Sequence, residues 1–151
     1  MNQEAKKQAL RLLDKRDYSR KMLLDKLTEK GAEESDALEV VDWLCEIGAV
    51  SDARYAELLV RHYAGKGYGP RRIRDELFRR GIEKDLWEEA LSAMPETEET
   101  VCRLLSGKLR GTACTPEDIR RAQNALLRRG YSWEEIRTAL ERYRSETEDT
   151  P

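Results

Sequence analysis

The chain has few of the residues that usually build a catalytic or metal site. Its 151 residues include one histidine, His62, and three cysteines, Cys45, Cys102 and Cys114. A single imidazole excludes most zinc sites and acid–base pairs, because these combine several histidine, cysteine or carboxylate groups at short spacing. No nucleophile–base pair and no paired carboxylates stand out elsewhere. We therefore predict a protein that is not an enzyme and that needs no metal or other cofactor.

The sequence also lacks a disulfide framework and a long apolar run. Three cysteines are an odd number without regular spacing, which is typical of free thiols in a reducing compartment. No apolar run approaches the length that crosses a bilayer, and the first residues are polar, unlike a secretory signal peptide. We expect a cytoplasmic monomer without a membrane contact, whose polar tail at residues 145–151 is frayed.

What the chain does have is an internal repeat of about fifty residues. Residues 18–31, 68–81 and 117–130 align on a closing glycine that follows a basic residue. Apolar residues lie eight and four positions before each glycine: Leu23 and Leu27, Ile73 and Leu77, Ala122 and Leu126. Spacing by four indicates one face of a helix, and a basic last turn followed by glycine is a helix stop.

Similar apolar patterns before and after each segment predict two more helices per repeat. A proline at a first helical position or a capping-box spacing supports three of the helix starts, at Gly69-Pro70, Thr115-Pro116 and Ser132–Glu135. No stretch alternates apolar and polar residues as a half-buried strand does. We therefore predict an all-α fold of three tandem three-helix repeats, about nine helices in all, at residues 1–50, 51–94 and 95–151.

Each predicted repeat has one tryptophan near its third helix: Trp43, Trp87 and Trp133. We expect these rings to pack in cores or between repeats. The segment from Gly65 to Pro70 is rich in glycine but lacks both the spacing of a phosphate-binding loop and a preceding strand. It is interpreted as a flexible joint between two helices.

Charge is distributed unevenly along a chain of net charge −2. Acidic residues dominate from Glu83 to Glu99, whereas basic residues dominate between Arg61 and Arg80. Arginine binds phosphate and carboxylate groups through its planar fork, and local potential steers an anionic partner. We therefore predict a contact surface on the middle repeat, made of Arg61, Lys66, Tyr68, Arg71, Arg72, Arg74, Arg79 and Arg80.

A plainer interpretation of the basic helix is a solvated face. Arg71 and Asp75, and likewise Arg72 and Glu76, are spaced by four and predict ion pairs along the helix. Such pairs contribute only about 0.2–0.5 kcal/mol each. Two carboxylates do not neutralise five arginines and a lysine, which favours the contact surface.

The same region resembles a known family. Residues 67–82, Gly-Tyr-Gly-Pro-Arg-Arg-Ile-Arg-Asp-Glu-Leu-x-x-Arg-Gly-Ile, look like the signature of the bacterial RecX regulators of the recombinase RecA. The run before it, Ile-Gly-Ala-Val-Ser-Asp-Ala-Arg-Tyr-Ala at residues 47–56, is also similar to that family. The resemblance extends in order over the whole chain. It is loose after Glu96, where the connection at residues 111–114 departs from the pattern.

The resemblance implies a curved, elongated arrangement of tandem three-helix repeats. It also implies that the chain binds the RecA filament along its groove and inhibits ATP hydrolysis and strand exchange without chemistry of its own. The partners would be the RecA filament and single-stranded DNA, directly or through the filament. Two other hypotheses stay open: a stand-alone helical DNA-binding module, and a protein–protein adaptor that uses the acidic segment from Glu83 to Glu99.

Overall fold

The computed structural model describes residues 1–148. Within that range the chain forms α-helices and one short 3₁₀ helix, with no strand, so the predicted all-α fold is confirmed. The helices are α1 (Gln3–Lys15), α2 (Arg20–Glu29), α3 (Glu34–Glu46), α4 (Asp52–Gly65), α5 (Pro70–Arg79), α6 (Trp87–Leu91), α7 (Thr97–Leu109), α8 (Pro116–Arg128) and α9 (Trp133–Glu148). The 3₁₀ helix, Lys84–Leu86, directly precedes α6.

The repeated glycines end their helices as predicted. Gly31, Gly81 and Gly130 have φ of 101°, 74° and 101°, a left-handed conformation that favours glycine. After each glycine, the next backbone N–H donates back to the carbonyl of the repeated leucine, as from Ala32 to Leu27 at 3.0 Å. Each of these leucines therefore serves twice, as a core side chain and as the acceptor that closes the helix.

The chain divides into two compact units that do not coincide with the predicted repeats. The first unit consists of Met1–Leu59 and Glu76–Ala90, and the second of Val60–Asp75 and the chain from Leu91 onwards. Helices α4 and α5 of the middle repeat therefore each contribute residues to both units. The boundaries of the three repeats remain a prediction.

Each unit has its own apolar core, and the apolar positions four and eight residues before the repeated glycines are all buried. The core of the first unit comprises Ala5, Ala9, Leu23, Leu27, Ala37, Val40, Val41, Leu44 and Val50. The core of the second unit comprises Val101, Leu105, Leu109, Ala122, Leu126, Tyr131, Ile136, Ala139 and Leu140.

The predicted third helix of the middle repeat is present but short, since only Trp87–Leu91 is α-helical. Two other expectations from the sequence need correction. Trp133 is 50% exposed rather than packed, at the first position of α9. The predicted frayed tail is helical as far as Glu148, where α9 ends. The rest of that tail, residues 149–151, lies outside the described residues.

Candidate functional site

Helix α5 carries four arginines on a short amphipathic frame, and Arg80 directly follows it. Ile73 and Leu77 are fully buried, as their spacing predicts, and they orient the helix. Arg71, Arg74 and Arg79 are exposed, whereas Arg72 and Arg80 are half-buried. The helix belongs to the second unit as far as Asp75 and to the first unit from Glu76 onwards.

The segment that leads into α5 is held in place by the end of α8, within the second unit. Gly69 N donates to Arg129 O at 2.7 Å, and Arg71 N donates to Gly130 O at 3.1 Å. The Tyr131 hydroxyl donates to Gly67 O at 2.9 Å in a buried setting. We call residues 67–71 and 129–131 the clasp. The interpretation of this segment as a flexible joint is wrong, because three hydrogen bonds with residues 129–131 anchor it.

The clasp depends on two glycines that let the two backbones meet. A Cβ at position 69 would lie 2.6 Å from Gly130 O and 2.8 Å from Tyr131 Cδ1. A Cβ at position 130 would lie 2.5 Å from Arg72 N, and Gly130 also has a positive φ of 101°. Distances this short cannot be relieved by side-chain motion, because two of the three contacts are with backbone atoms. The glycines of the basic segment are therefore required for close backbone approach.

Tyr68 is the aromatic centre of the clasp. The Arg72 guanidinium carbon lies 5.1 Å from the centre of the Tyr68 ring, and that of Arg129 lies 5.6 Å from it. Arg129 Nη1 also donates to Lys66 O at 3.0 Å. Cations at these distances are attracted to the electron-rich face of an aromatic ring. The Arg72 side chain is therefore turned onto the Tyr68 ring.

Tyr131 is a buried hydrogen-bond donor within the clasp. Its side chain is 1% exposed, and burial raises the pKa of its phenol. The hydroxyl therefore stays protonated at neutral pH, as it must to donate to Gly67 O. A buried donor with one defined acceptor fixes the backbone at the start of the basic segment.

The remaining basic residues of this segment in the second unit point to solvent. Arg61, Lys66, Arg71 and Arg74 are all exposed. Within the described part of the chain, the side chains of Lys66 and Arg71 form no ion pair. The ion pair predicted between Arg71 and Asp75 is therefore absent there. Arg71 N donates to Gly130 O, and the carbonyl of Lys66 accepts from Arg129 Nη1. The backbone of both residues is therefore held in place while their charged side chains extend into solvent.

The end of α5, in the first unit, is arranged differently. The Glu76 side chain is 5% exposed and pairs with Arg79 Nη1 at 3.4 Å and with Arg80 Nη1. Arg80 is further held through its carbonyl, which accepts from Ser19 Oγ at 2.6 Å. A buried carboxylate thus reduces the positive potential of these two arginines. Arg79, whose side chain is 69% exposed, stays accessible from solvent.

Sequence reasoning missed Arg129, Gly130 and Tyr131 as part of this arrangement. In the sequence, Arg129 and Gly130 stand out only as the helix stop of the third repeat. A signal was nonetheless present, since an aromatic residue follows the glycine here, where Ala32 and Ile82 stand in the other two repeats.

Other classes of site find little support in the described part of the chain. Between residues 1 and 148, no group of three His, Cys, Asp or Glu side chains could hold a metal ion. The cysteines at 45, 102 and 114 are free thiols. No helix in this range is both long and apolar enough to cross a membrane.

Comparison with known proteins shows which family the chain is similar to. Residues 5–44 match the family model described as "RecX, first three-helix domain", and residues 51–91 match "RecX, second three-helix domain". The chain is 34% identical to the regulatory protein RecX of Chromohalobacter salexigens, over 87% of this chain and 88% of that protein. It is 38% identical to that of Stenotrophomonas maltophilia, over 87% and 82%.

Solved structures agree on the fold. The crystal structure of RecX from Lactobacillus salivarius is similar with a TM-score of 0.84, at 24% identity, over 93% of this chain and 94% of that one. A second crystal structure, of a regulatory protein RecX, is similar with a TM-score of 0.82 at 22% identity, over 91% and 72%. At these identities the likeness supports the helical architecture alone.

Proposed function

Because this chain belongs to the RecX family of regulatory proteins, we propose that it is a non-catalytic modulator of the RecA recombinase. It binds the RecA filament on single-stranded DNA and inhibits ATP hydrolysis and strand exchange. The proposed contact residues are those of the basic middle segment: Arg61, Lys66, Tyr68, Arg71, Arg72, Arg74, Arg79 and Arg80. Within this set, Tyr68, Arg72 and Arg80 position the segment, and the exposed cations make the contacts.

The observation that carries this proposal is the clasp. Gly69 and Arg71 donate backbone hydrogen bonds to the end of α8, and the exposed Arg71 starts from that fixed backbone. A prearranged cation loses less conformational freedom on binding than one on a mobile loop. A filament that displays phosphates and acidic side chains is a suitable partner for such a surface.

The proposed mechanism is a preference between filament states. A bound protein changes the activity of RecA only if it binds one state of the filament more tightly than another. Contacts along a repeating filament groove would add up over several protomers, so that weak individual contacts suffice. We propose that the bound chain favours protomers outside the ATP-hydrolysing state. This requires no catalytic group on the modulator itself.

The direct test measures RecA ATP hydrolysis on single-stranded DNA while this protein is titrated in. The parent protein should inhibit hydrolysis. The variant K66E/R71E reverses two exposed cations that form no ion pair within residues 1–148. We expect it to need about tenfold more protein or more for half-inhibition, equivalent to roughly 1.4 kcal/mol or more of lost binding free energy.

The matched control is R11E/R137E, which makes the same change of charge at two exposed helical positions elsewhere. It should inhibit as the parent does. Equal inhibition by parent and K66E/R71E would refute the basic-segment proposal. An absence of inhibition by the parent itself would refute the proposed function.

A stand-alone DNA-binding module is the second candidate, since the exposed Lys66 and Arg71 also suit bare phosphates. It predicts steep salt dependence, with a log–log slope of roughly −3 for four or five phosphate contacts on a single strand. Negligible affinity for bare DNA at physiological salt would eliminate this candidate.

A further inference from the structure

We propose that a second basic groove, between α7 and α8 of the second unit, binds the phosphate backbone of single-stranded DNA. The groove is open, has a volume of about 320 Å³, and is lined by Lys108, Thr112, Asp118, Arg121, Ala122, Ala125 and Arg128. None of its cations belongs to the basic middle segment. This inference rests on the proposed function, because the filament supplies the single strand.

The charge of the groove favours an anionic occupant. Lys108, Arg121 and Arg128 are exposed. Asp118 is the one carboxylate in the lining, and its two oxygens are already engaged. Oδ2 accepts from Thr115 N at 3.1 Å in the capping box of α8, and Oδ1 lies 3.8 Å from Arg121 Nη1. In the described part of the chain, Lys108 and Arg128 form no ion pair, so the groove keeps a positive excess.

The spacing of the cations suits a strand of phosphates better than one isolated anion. Arg121 and Arg128 are separated by seven residues of the continuous helix α8, which corresponds to about 10 Å along its axis. A nucleic-acid strand carries its phosphates in series, so two cations this far apart on one face of a helix can contact different phosphates of the same strand. Lys108 approaches the same groove from the neighbouring helix α7.

The lining also indicates which part of the nucleic acid it contacts. Between the cations the floor is made of Ala122 and Ala125, and no aromatic side chain lines the groove. Single-stranded bases are held mainly by stacking on aromatic rings, whereas backbones are held by positive grooves. The groove should therefore bind phosphates without preference for sequence, and its contribution should weaken steeply with salt.

The test measures binding of the full chain to fluorescent oligo(dT), by anisotropy, over a series of salt concentrations and without RecA. Each neutralised phosphate contributes roughly −0.7 to the log–log slope on single strands. The variant R121Q/R128Q should therefore have a slope shallower by about 1.4, whereas K108Q alone should change it by about 0.7. Glutamine keeps the helix propensity of these positions close to that of the parent.

The control R11Q/R137Q removes the same charge from exposed positions outside the groove and should keep the parent slope. Far-UV circular dichroism and thermal melting establish whether each variant is folded. If R121Q/R128Q does not fold, the salt dependence of K108Q tests the proposal instead. An unchanged slope in the folded groove variants, an equal change in the control, or no binding of oligo(dT) by the parent would overturn the inference.

The RecA assay separates this inference from the proposed function. If R121Q/R128Q keeps the parent slope on oligo(dT) but still inhibits RecA, the groove proposal fails and the proposed function stands. If it keeps the slope and loses inhibition of RecA, the groove contacts an acidic protein surface instead, and the DNA assignment is overturned.

Discussion

Three glycine-to-alanine substitutions separate what backbone conformation and close contact each contribute to the clasp. Gly31 and Gly130 have the same φ of 101°, but a Cβ would meet nothing within 4 Å at Gly31 and Arg72 N at 2.5 Å at Gly130. Gly69 has no positive φ, yet its Cβ would lie 2.6 Å from Gly130 O. G31A therefore introduces backbone strain alone, G69A a steric contact alone, and G130A both.

The expected losses in the free energy of unfolding follow from these geometries. A left-handed alanine costs about 1–2 kcal/mol, which is the whole expected effect of G31A. Overpacking costs about 1–3 kcal/mol. Each clasp hydrogen bond that breaks costs about 0.5–1.5 kcal/mol more. With the bonds to Arg129 O and Gly130 O both lost, G69A should lose about 2–6 kcal/mol. G130A should lose the most, although the terms share one site and need not add.

Because the chain has two compact units, the assay must report on each one separately. Amide hydrogen exchange followed by mass spectrometry, at increasing urea, resolves peptides from 5–44 in the first unit and from 117–143 in the second. G69A and G130A should speed exchange in the second unit far more than G31A does in the first. Equal effects of G31A and G130A would refute the argument that close backbone contact holds the clasp.

Two further predictions concern single side chains. Y68A should weaken inhibition of RecA and destabilise the second unit by about 1–2 kcal/mol, because it removes two cation–ring contacts, whereas Y68F should retain both properties. Urea unfolding and the ATPase assay measure this, and a loss in Y68F equal to that in Y68A would contradict the stacking role. Burial raises the pKa of the Cys45 and Cys102 thiols, so fewer thiolates form there at pH 8. Iodoacetamide should therefore label the exposed Cys114 first, and mass spectrometry that finds Cys45 or Cys102 labelled first would refute this.

Much of the local structure could be predicted because its causes are local. Helix stops at Gly31, Gly81 and Gly130 follow from a basic turn and a glycine, and all three occur. The predicted capping box at Ser132 and Glu135 follows in the same way from residues three positions apart, and both of its hydrogen bonds form, at 2.9 and 3.1 Å. Core positions such as Leu23 and Ile73 follow from helical spacing. Local patterns could not reveal that α4 and α5 contribute to both compact units, because that depends on contacts between distant residues.

The candidate site was predicted in part. The exposed position of Arg79 follows from its place on the outer face of an amphipathic helix. Helical spacing puts Arg72 on the same face, but Arg72 is half-buried, and the position of Arg80 does not follow from the sequence either. Arg72 turns onto Tyr68, and Arg80 pairs with the buried Glu76. Helical spacing indicates which side of a helix faces solvent, but not whether a neighbouring ring or carboxylate captures a long side chain on that side.

The amino-acid sequence by itself determined the helices, their ends, the repeated apolar positions and the basic character of the middle repeat. These depend on interactions between residues a few positions apart, which a pattern records directly. Only the tertiary structure decided that Gly69 meets Gly130, that Tyr68 lies between two guanidinium groups, and that Lys108 shares a groove with Arg121 and Arg128. These contacts join residues that are far apart in the sequence, so they depend on how the helices pack. The basic segment therefore acquires a fixed conformation only in the folded protein.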